Sequence, residues 1–347
     1  MKVAFFTYPS AFQNVGGGEI QLLKTKEYLE KEGVRVDFFD LWRHRVEQYD
    51  LIHIFGSVKD CLGLAEVAKS RKVAVTISPV LWSDFRRAFL ADGSLKEKSV
   101  LALRHLVKAA CPAFPSKRRR LLLCSDLIFP NSEIEKSHIA RYFAVPKEKM
   151  RVVYNGVDAL FQDADASLFR KTYGEKPFIL GVGRIEPRKN QLNLIKAVKR
   201  LPDTRLVLIG SPVSGYETYF GQCQAAGKDF TTFIPTLNHE DPLLKSAYAS
   251  CTLFVLQGWF ETPGLAAMEA ALAGAKVLAT MGGSTREYFG TCVEYLDPSN
   301  PSSMAEKIRK SLDTPRSGEL KTRILKNFTW DKVARSTLSF YEEALRR

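Results

Sequence analysis

Glu261 and Glu269 stand on either side of an expected helix start in Gln257–Glu269, QGWFETPGLAAME. A strand at Leu253–Leu256 ends there and a turn follows. Thr262-Pro263-Gly264 then opens a helix, with Thr262 as N-cap and Pro263 at the first helical position, where a missing N–H costs nothing. The amides of Gly264 and Leu265 would face outward at the positive end of that helix, an anion site suited to a diphosphate. One carboxylate could meet a sugar hydroxyl and the other a ribose diol. The alternative is that Glu261 assists the cap and Glu269 is surface.

A second constellation lies in Leu180–Asn190, LGVGRIEPRKN. A strand runs into Gly181-x-Gly183 and then Arg184, and a Pro-Arg-Lys turn opens the next helix. Arg184 and Lys189 can close on one pair of phosphates, the first as a bidentate fork and the second as a point charge. A solvated charge run at a helix start is the other reading. Third, Val15-Gly16-Gly17-Gly18-Glu19 follows the first strand, and its glycines would let the backbone approach a phosphate or sugar closely. The Gly-x-Gly-x-x-Gly dinucleotide fingerprint is absent there, which disfavours an NAD dehydrogenase.

These segments need a scaffold, and the apolar pattern supplies one. Strands are expected at Val3–Thr7, Val34–Phe39, Leu51–Phe55, Val73–Ser78, Leu127–Pro130 and Met150–Tyr154, then at Phe178–Val182, Leu206–Ile209, Phe230–Ile234, Leu253–Leu256, Lys276–Ala279 and Val293–Leu296. Helical periodicity falls between them, notably at Glu19–Glu32, Leu62–Ser70, Lys96–Ala109, Glu133–Phe143, Gln191–Arg200, Leu243–Ser250, Gly264–Ala273 and Ser303–Leu312. Repeated strand–helix alternation with short connections predicts an α/β chain of two doubly wound, Rossmann-like domains facing each other across a cleft. The expected division is 1–160 and 161–330, with the aperiodic stretch Asp158–Lys176 between. A last helix within 331–347 is expected to cross back to the first domain.

Composition narrows the partners. The 347 residues carry 51 Lys+Arg against 38 Asp+Glu, a formal +13, which suggests an anionic partner. Residues 86–120 hold ten of the basic residues and two acids. Lys117-Arg118-Arg119-Arg120, between Ala113-Phe114-Pro115 and Leu121–Leu123, is a basic–apolar mixture suited to an anionic membrane surface. A solvated helix and loop is the alternative. Nucleic acid is disfavoured, because no binding module is recognisable and aromatics do not interleave the basic run. The six cysteines lack a Cys-x-x-Cys pair, which argues against a disulfide framework or a zinc site and fits the cytoplasm. The N-terminus reads as a strand and glycine loop rather than a signal peptide. No run reaches the 18 or so apolar residues of a membrane span.

Together and in order, these segments resemble the retaining glycosyltransferases of the GT-B fold, family 4, the group 1 type associated with polysaccharide synthesis. GVGRIEPRKNQLNLIKAVKRLPDTRLVLIG resembles that family's arginine–lysine segment. ETPGLAAMEAALAGAKVLATMGGSTREYFG resembles its Glu-x7-Glu segment with the glycine pair that follows. Tyr154–Asp158, YNGVD, resembles the turn closing its first domain, and Pro130–Lys136, PNSEIEK, a segment shortly before it.

The resemblance implies that Arg184 and Lys189 hold a donor diphosphate, Glu269 the ribose and Glu261 the transferred sugar. Gly264 and Leu265 would supply amides, and Gly17 and Gly18 would approach from the first domain. The nucleobase would lie near Ile234–Leu237, read by backbone groups. It further implies transfer of a hexosyl group from a nucleoside diphosphate sugar, UDP-linked for preference, to a glycan or lipid-linked acceptor, without a metal or other cofactor.

Members of that family often carry a histidine after the fourth strand, where this chain has Thr76-Ile77-Ser78-Pro79. His53 is a weak substitute, its position in an apolar strand being more typical of a core residue. Asp163-Ala164-Asp165 matches a metal-binding Asp-x-Asp pattern of another glycosyltransferase fold, but falls in the expected linker and reads as solvated. A sugar-nucleotide epimerase on the same fold and a non-catalytic nucleotide-sugar sensor remain the alternatives.

Overall fold

The computed structural model describes residues 1–9, 11–13, 16–82 and 95–347, without the side chains of residues 95–98 and 108. In chain order the first elements are β1 (Lys2–Phe6), α1 (Gly17–Lys31), β2 (Arg35–Phe38), β3 (Leu51–Phe55), α2 (Leu62–Ser70) and β4 (Ala74–Ser78). There follow α3 (Leu95–Ala110), α4 (Lys117–Cys124), β5 (Leu127–Ile128) and α5 (Glu133–Phe143). The second half begins with α6 (Ser167–Tyr173), β6 (Phe178–Val182), α7 (Gln191–Val198), β7 (Arg205–Ile209), α8 (Glu217–Gly227) and β8 (Thr231–Ile234). It continues with α9 (Pro242–Ser250), β9 (Leu253–Leu256), α10 (Leu265–Leu272), β10 (Lys276–Thr280), α11 (Thr285–Phe289) and β11 (Glu294–Leu296). The chain closes with α12 (Pro301–Asp313), α13 (Glu319–Asn327) and α14 (Trp330–Leu345).

The chain divides into two compact units, Met1–Gly156 with Trp330–Arg347, and Val157–Thr329. In the first unit five parallel strands run in the order β2-β1-β3-β4-β5. In the second, six parallel strands run β11-β10-β9-β6-β7-β8. All five residues of β3 and all four of β9 are buried, so each strand is a continuous apolar run rather than an alternating one, as a sheet covered on both faces requires. Residues Trp330, Val333, Ala334, Thr337, Tyr341 and Ala344 make one buried stripe along α14, with the spacing of a helix face pressed onto a core. That face lies against α1 and β4 of the first unit.

Two expectations change. Met150–Tyr154 is not a strand, and only an isolated bridge joins Ile128 to Met150. Within the stretch expected to be linker, Phe169 is fully buried and organises α6. There too, Asp165 is exposed and accepts a hydrogen bond from Ser167.

The basic stretch is also rearranged. Leu121 and Leu122, expected beside a membrane, are core residues. Arg118 Nε donates to the Ser57 carbonyl at 2.7 Å, Arg119 Nε donates to the Phe143 carbonyl at 2.8 Å, and Arg120 pairs with Glu66. Arg86, Arg87 and Asp92, with the side chains of Lys96, Glu97, Lys98 and Lys108, lie outside the described residues. α3 meets α5 through His105 and Tyr142, ring centroids 4.9 Å apart. Its Val100, Leu103, Leu106 and Val107 are exposed, Leu103 to 61%.

Candidate functional site

The site in the second unit begins where β6 and β7 end. A Cβ on Gly210 would lie 2.1 Å from the Gly183 carbonyl oxygen, and both glycines have positive φ, so the close approach of these two loops requires glycine. The chain then makes a 3-10 turn at Pro187–Lys189 and a left-handed residue at Asn190, φ 57°, a conformation Asn tolerates well. Asn190 Nδ2 donates to the carbonyls of Gln257, at 3.2 Å, and Pro298, at 2.8 Å. The Trp259 amide donates to the Arg188 carbonyl at 3.0 Å. These bonds fasten the turn to the segment leaving β9.

The result is a contact between residues 72 positions apart. Lys189 Nζ donates to both oxygens of Glu261, at 2.8 and 2.9 Å, with the two side chains 19% and 6% exposed. Burial pushes the Lys189 ammonium below its usual range, and Glu261 is the strongest opposing influence. The backbone of Glu261 is held as well. Its amide donates to the Gly282 carbonyl at 3.2 Å, and its carbonyl accepts from Ser284 at 2.9 Å. A Cβ on Gly282 would sit 2.1 Å from the Trp259 carbonyl oxygen, and one on Gly283 would sit 2.0 Å from that of Glu261. The glycine pair is there so that two backbones can touch.

Arg184 faces a partner that sequence reading passed over. Its Nη2 lies 3.7 Å from Glu186 Oε1, and the same oxygen accepts from Arg188 Nη2 at 2.9 Å. Arg188 in turn lies over the Phe260 ring, 5.5 Å from its centroid. Three basic and two acidic side chains therefore share the Arg184–Lys189 loop and Glu261, leaving an excess of one positive charge.

The helix start differs from expectation. Thr262–Pro263 is a cis peptide, and Gly264, φ 95°, is the cap, so α10 begins at Leu265 rather than at Pro263. Thr262 makes no capping bond. Glycine is favoured at position 264 by the φ of 95°, and a Cβ would also press on Leu256 Cδ2 at 2.6 Å. Ala267 and Met268 donate back to the Gly264 carbonyl at 3.0 and 3.3 Å, so the amides of Leu265 and Ala266 precede the first intrahelical acceptor.

Glu269 is not surface. It is buried, its Oε2 accepts from Tyr248 Oη at 2.7 Å, and its Oε1 lies 3.4 Å from His239 Nδ1. Burial pushes its carboxyl above the usual carboxylate range, against the influence of His239 and Tyr248. Nε2 of His239 lies 3.6 Å from Asp158 Oδ2. Sequence reading missed His239, Tyr248 and this role of Asp158. The usable signal was the position of His239 in Leu237-Asn238-His239, just after the segment Ile234–Leu237 expected beside the nucleobase. Of that segment, Ile234 is buried and its carbonyl accepts from Gly210 at 2.9 Å, while the Thr236 amide donates to Ser211 Oγ at 3.0 Å. Two of the four positions expected to read a base thus have backbone groups already engaged.

In the first unit, Gly16 caps α1 and Gly17 and Gly18 form its first turn, so the glycine loop is a helix start. Glu19 accepts from the Gly16 amide at 2.8 Å and from Tyr8 Oη at 2.9 Å. A pocket of about 260 Å³ opens there, lined among others by Thr7, Tyr8, Gly18, Glu19, Ser57 and Arg118. His53, the weak catalytic candidate, is a core residue. It bonds Tyr341 Oη through Nδ1 and Ser78 Oγ, at 2.9 Å, through Nε2, and burial lowers it to about 3. Among the described residues no group of three His, Cys, Asp or Glu could hold a metal ion.

Residues 164–328 match the family of glycosyl transferases group 1. That segment is a group 1 glycosyl transferase domain. The chain is 26% identical over 230 residues to an uncharacterized glycosyltransferase of Methanocaldococcus jannaschii, covering 60% of this chain and 58% of that protein. It is 28% identical over 251 residues to a D-inositol 3-phosphate glycosyltransferase of Nocardioides, covering 63% of this chain and 54% of that one. The aligned stretch thus spans little more than half the length of either relative. Among solved structures, HepE of Anabaena in complex with UDP and glucose superposes with a TM-score of 0.74 at 18% identity, covering 99% of this chain and 100% of that one. Sucrose-phosphate synthase of Thermosynechococcus elongatus gives 0.77 at 18%, covering 99% and 98%. The chain therefore has the GT-B fold, two parallel α/β sheets of five and six strands.

Proposed function

We propose that the chain moves a hexosyl group from a nucleoside diphosphate sugar, UDP-linked, to a hydroxyl of a glycan or lipid-linked acceptor, with retention at the anomeric carbon and without a metal. The observation that carries this reading is the buried Lys189–Glu261 pair, three residues before the cap of α10. A chain that buries an ammonium and a carboxylate together incurs a desolvation cost that packing alone does not require. The arrangement is useful if a charged ligand enters. Lys189, Arg184 and the amides opening α10 then face the diphosphate, and Glu261 accepts from hydroxyls of the sugar. HepE, which shares the fold, has been crystallised with UDP-glucose, and that lends support to the choice of donor.

In the reaction the bond from the anomeric carbon to the diphosphate oxygen breaks. The acceptor oxygen bonds the same carbon on the same face, and its proton passes to the departing diphosphate. Negative charge grows on that leaving group, and fixed positive groups stabilise it as it forms. The acceptor is assigned to the first unit, whose pocket joins Tyr8, Glu19 and Arg118 with an apolar wall. All six thiols are free, in keeping with a cytoplasmic site of action.

A thermal-shift screen with UDP-, GDP- and ADP-sugars tests the donor, followed by product analysis with and without a chelator. A rise with a UDP-sugar and an α-linked product from an α-linked donor are expected, and no response to any nucleotide sinks the reading. Release of an epimerised sugar without acceptor points to the epimerase. Tight UDP binding with no glycoside formed points to a sensor.

The exposed apolar stripe of α3, with Phe114 exposed to 62%, and the basic excess of residues 86–120 together fit an anionic lipid surface. Co-sedimentation with vesicles containing phosphatidylserine is expected, with loss in Leu103→Ser/Leu106→Ser. Equal recovery with neutral vesicles, or no loss in the variant, removes this assignment.

A further inference from the structure

We infer that His239, braced by Asp158, is a positioning residue that holds the Glu269 carboxylate ready for the two hydroxyls of the donor ribose. The inference rests on the donor reading above and adds residues that it does not contain.

The geometry is a row of four side chains. Asp158, in the turn that opens the second unit, and Glu269, 111 positions later on α10, flank one imidazole, at 3.6 Å from Nε2 and 3.4 Å from Nδ1. Tyr248 of α9 holds the other Glu269 oxygen at 2.7 Å. Phe161 supports the row from one side. Its ring meets His239 edge-on at 5.5 Å and Tyr248 edge-on at 5.8 Å, with Lys245 Nζ 5.9 Å from its centroid. Glu269 thus has a side chain from a different element against each oxygen, while its remaining lone pairs are uncommitted to either.

A ribose diol offers two O–H donors. A carboxylate can accept both, whereas a protonated carboxyl presents a donor of its own where an acceptor is needed. Burial drives Glu269 toward the protonated form and Asp158 adds to that drive, while His239 is the largest influence against it. The imidazole stands between the two carboxylates, one at each ring nitrogen, where it opposes that drive. At 3.4 and 3.6 Å both contacts lie within ion-pair reach, and contacts that are long in an unliganded site commonly tighten once a ligand is bound.

The test compares the wild type, His239→Gln, His239→Lys and Asp158→Asn by calorimetric titration with UDP and with 2′,3′-dideoxy-UDP, from pH 5.5 to 8.5. His239→Gln is expected to weaken UDP binding about tenfold at pH 7, the loss of one charge-assisted interaction. Donor KM should rise with kcat within about twofold. The acidic limb of UDP binding should move to higher pH, because Glu269 loses its main opposition to protonation. His239→Lys restores a cation and part of the affinity, and Asp158→Asn gives a smaller loss in a variant that keeps the ring. Dideoxy-UDP, which lacks the diol, should bind equally well to wild type and His239→Gln. Equal weakening of both ligands, or unchanged UDP binding, overturns the inference while leaving the donor reading intact. A wild type that binds none of UDP, ADP or GDP ends both.

Discussion

Two histidines of this molecule have opposite kinds of neighbour. His53, in the first unit, sits between the hydroxyls of Tyr341 and Ser78, with no carboxylate against it among the described residues. His239, in the second, sits between the carboxylates of Asp158 and Glu269. The contrast extends to the neighbouring acids. Glu135 of the first unit is buried and accepts from the backbone amides of Leu81 and, at 2.6 Å, Asn131. Glu261 of the second is buried against the ammonium of Lys189. A buried polar group whose partners are neutral or backbone completes a core. One whose partners are opposite charges on mobile side chains can exchange them for a charged ligand.

Lys189→Met should break this contrast most. Loss of the ammonium removes one fixed positive group from the growing charge, and turnover is expected to fall about 10²–10³-fold, or roughly 2.7–4 kcal/mol. It also leaves Glu261 buried without its partner, at a cost of about 3–5 kcal/mol in stability. The double variant Lys189→Met/Glu261→Gln separates the two effects. Its melting temperature should recover toward wild type while turnover stays low. A double variant that recovers both would make the pair a structural device, no different in kind from Glu135.

Sequence alone made the strands legible because most are uninterrupted apolar runs. Leu51–Phe55, Phe178–Val182 and Leu253–Leu256 match residue for residue. α4 was not legible, since it opens with four basic residues and shows its apolar side only at Leu121. Nor was α8, which buries little beyond Cys223 and Gly227. In the site, Arg184, Lys189, Glu261 and Glu269 stood out by residue type beside strand ends. Their partners did not. Glu186 is two residues from Arg184, but only the turn at Pro187 determines that it faces both arginines. His239 and Tyr248 reach Glu269 from separate elements and Asp158 reaches His239 from a third, and no local pattern encodes that meeting. The helix start was misread for a backbone reason, since Pro263 and the left-handed Gly264 lie before α10 rather than in it.

The smaller effects sharpen the other side of the contrast, through pH. His53 has its value lowered from 6.5 to about 3, so from pH 6.5 downward the unfolded chain takes up a proton that the folded chain refuses. Stability from this group is therefore lost as pH falls, by about 2.3 kcal/mol between pH 6.5 and 4.5, the slope reaching roughly 1.36 kcal/mol per unit below pH 6. Glu135 has the opposite sign. Burial raises it from 4.5 to about 7, so the folded chain holds the extra proton and stability is lost as pH rises, by about 2 kcal/mol between pH 5 and 6.5. In wild type the two slopes largely cancel over that interval. Denaturant unfolding at pH 5 and 6.5 should then show His53→Phe growing less stable relative to wild type as pH rises, and Glu135→Gln growing more stable. Each variant also loses a hydrogen bond, which displaces its curve without tilting it. Slopes unchanged in both variants would mean that these groups are not held as neutral core residues, and the distinction between the two units would then rest on Lys189 and Glu261 alone.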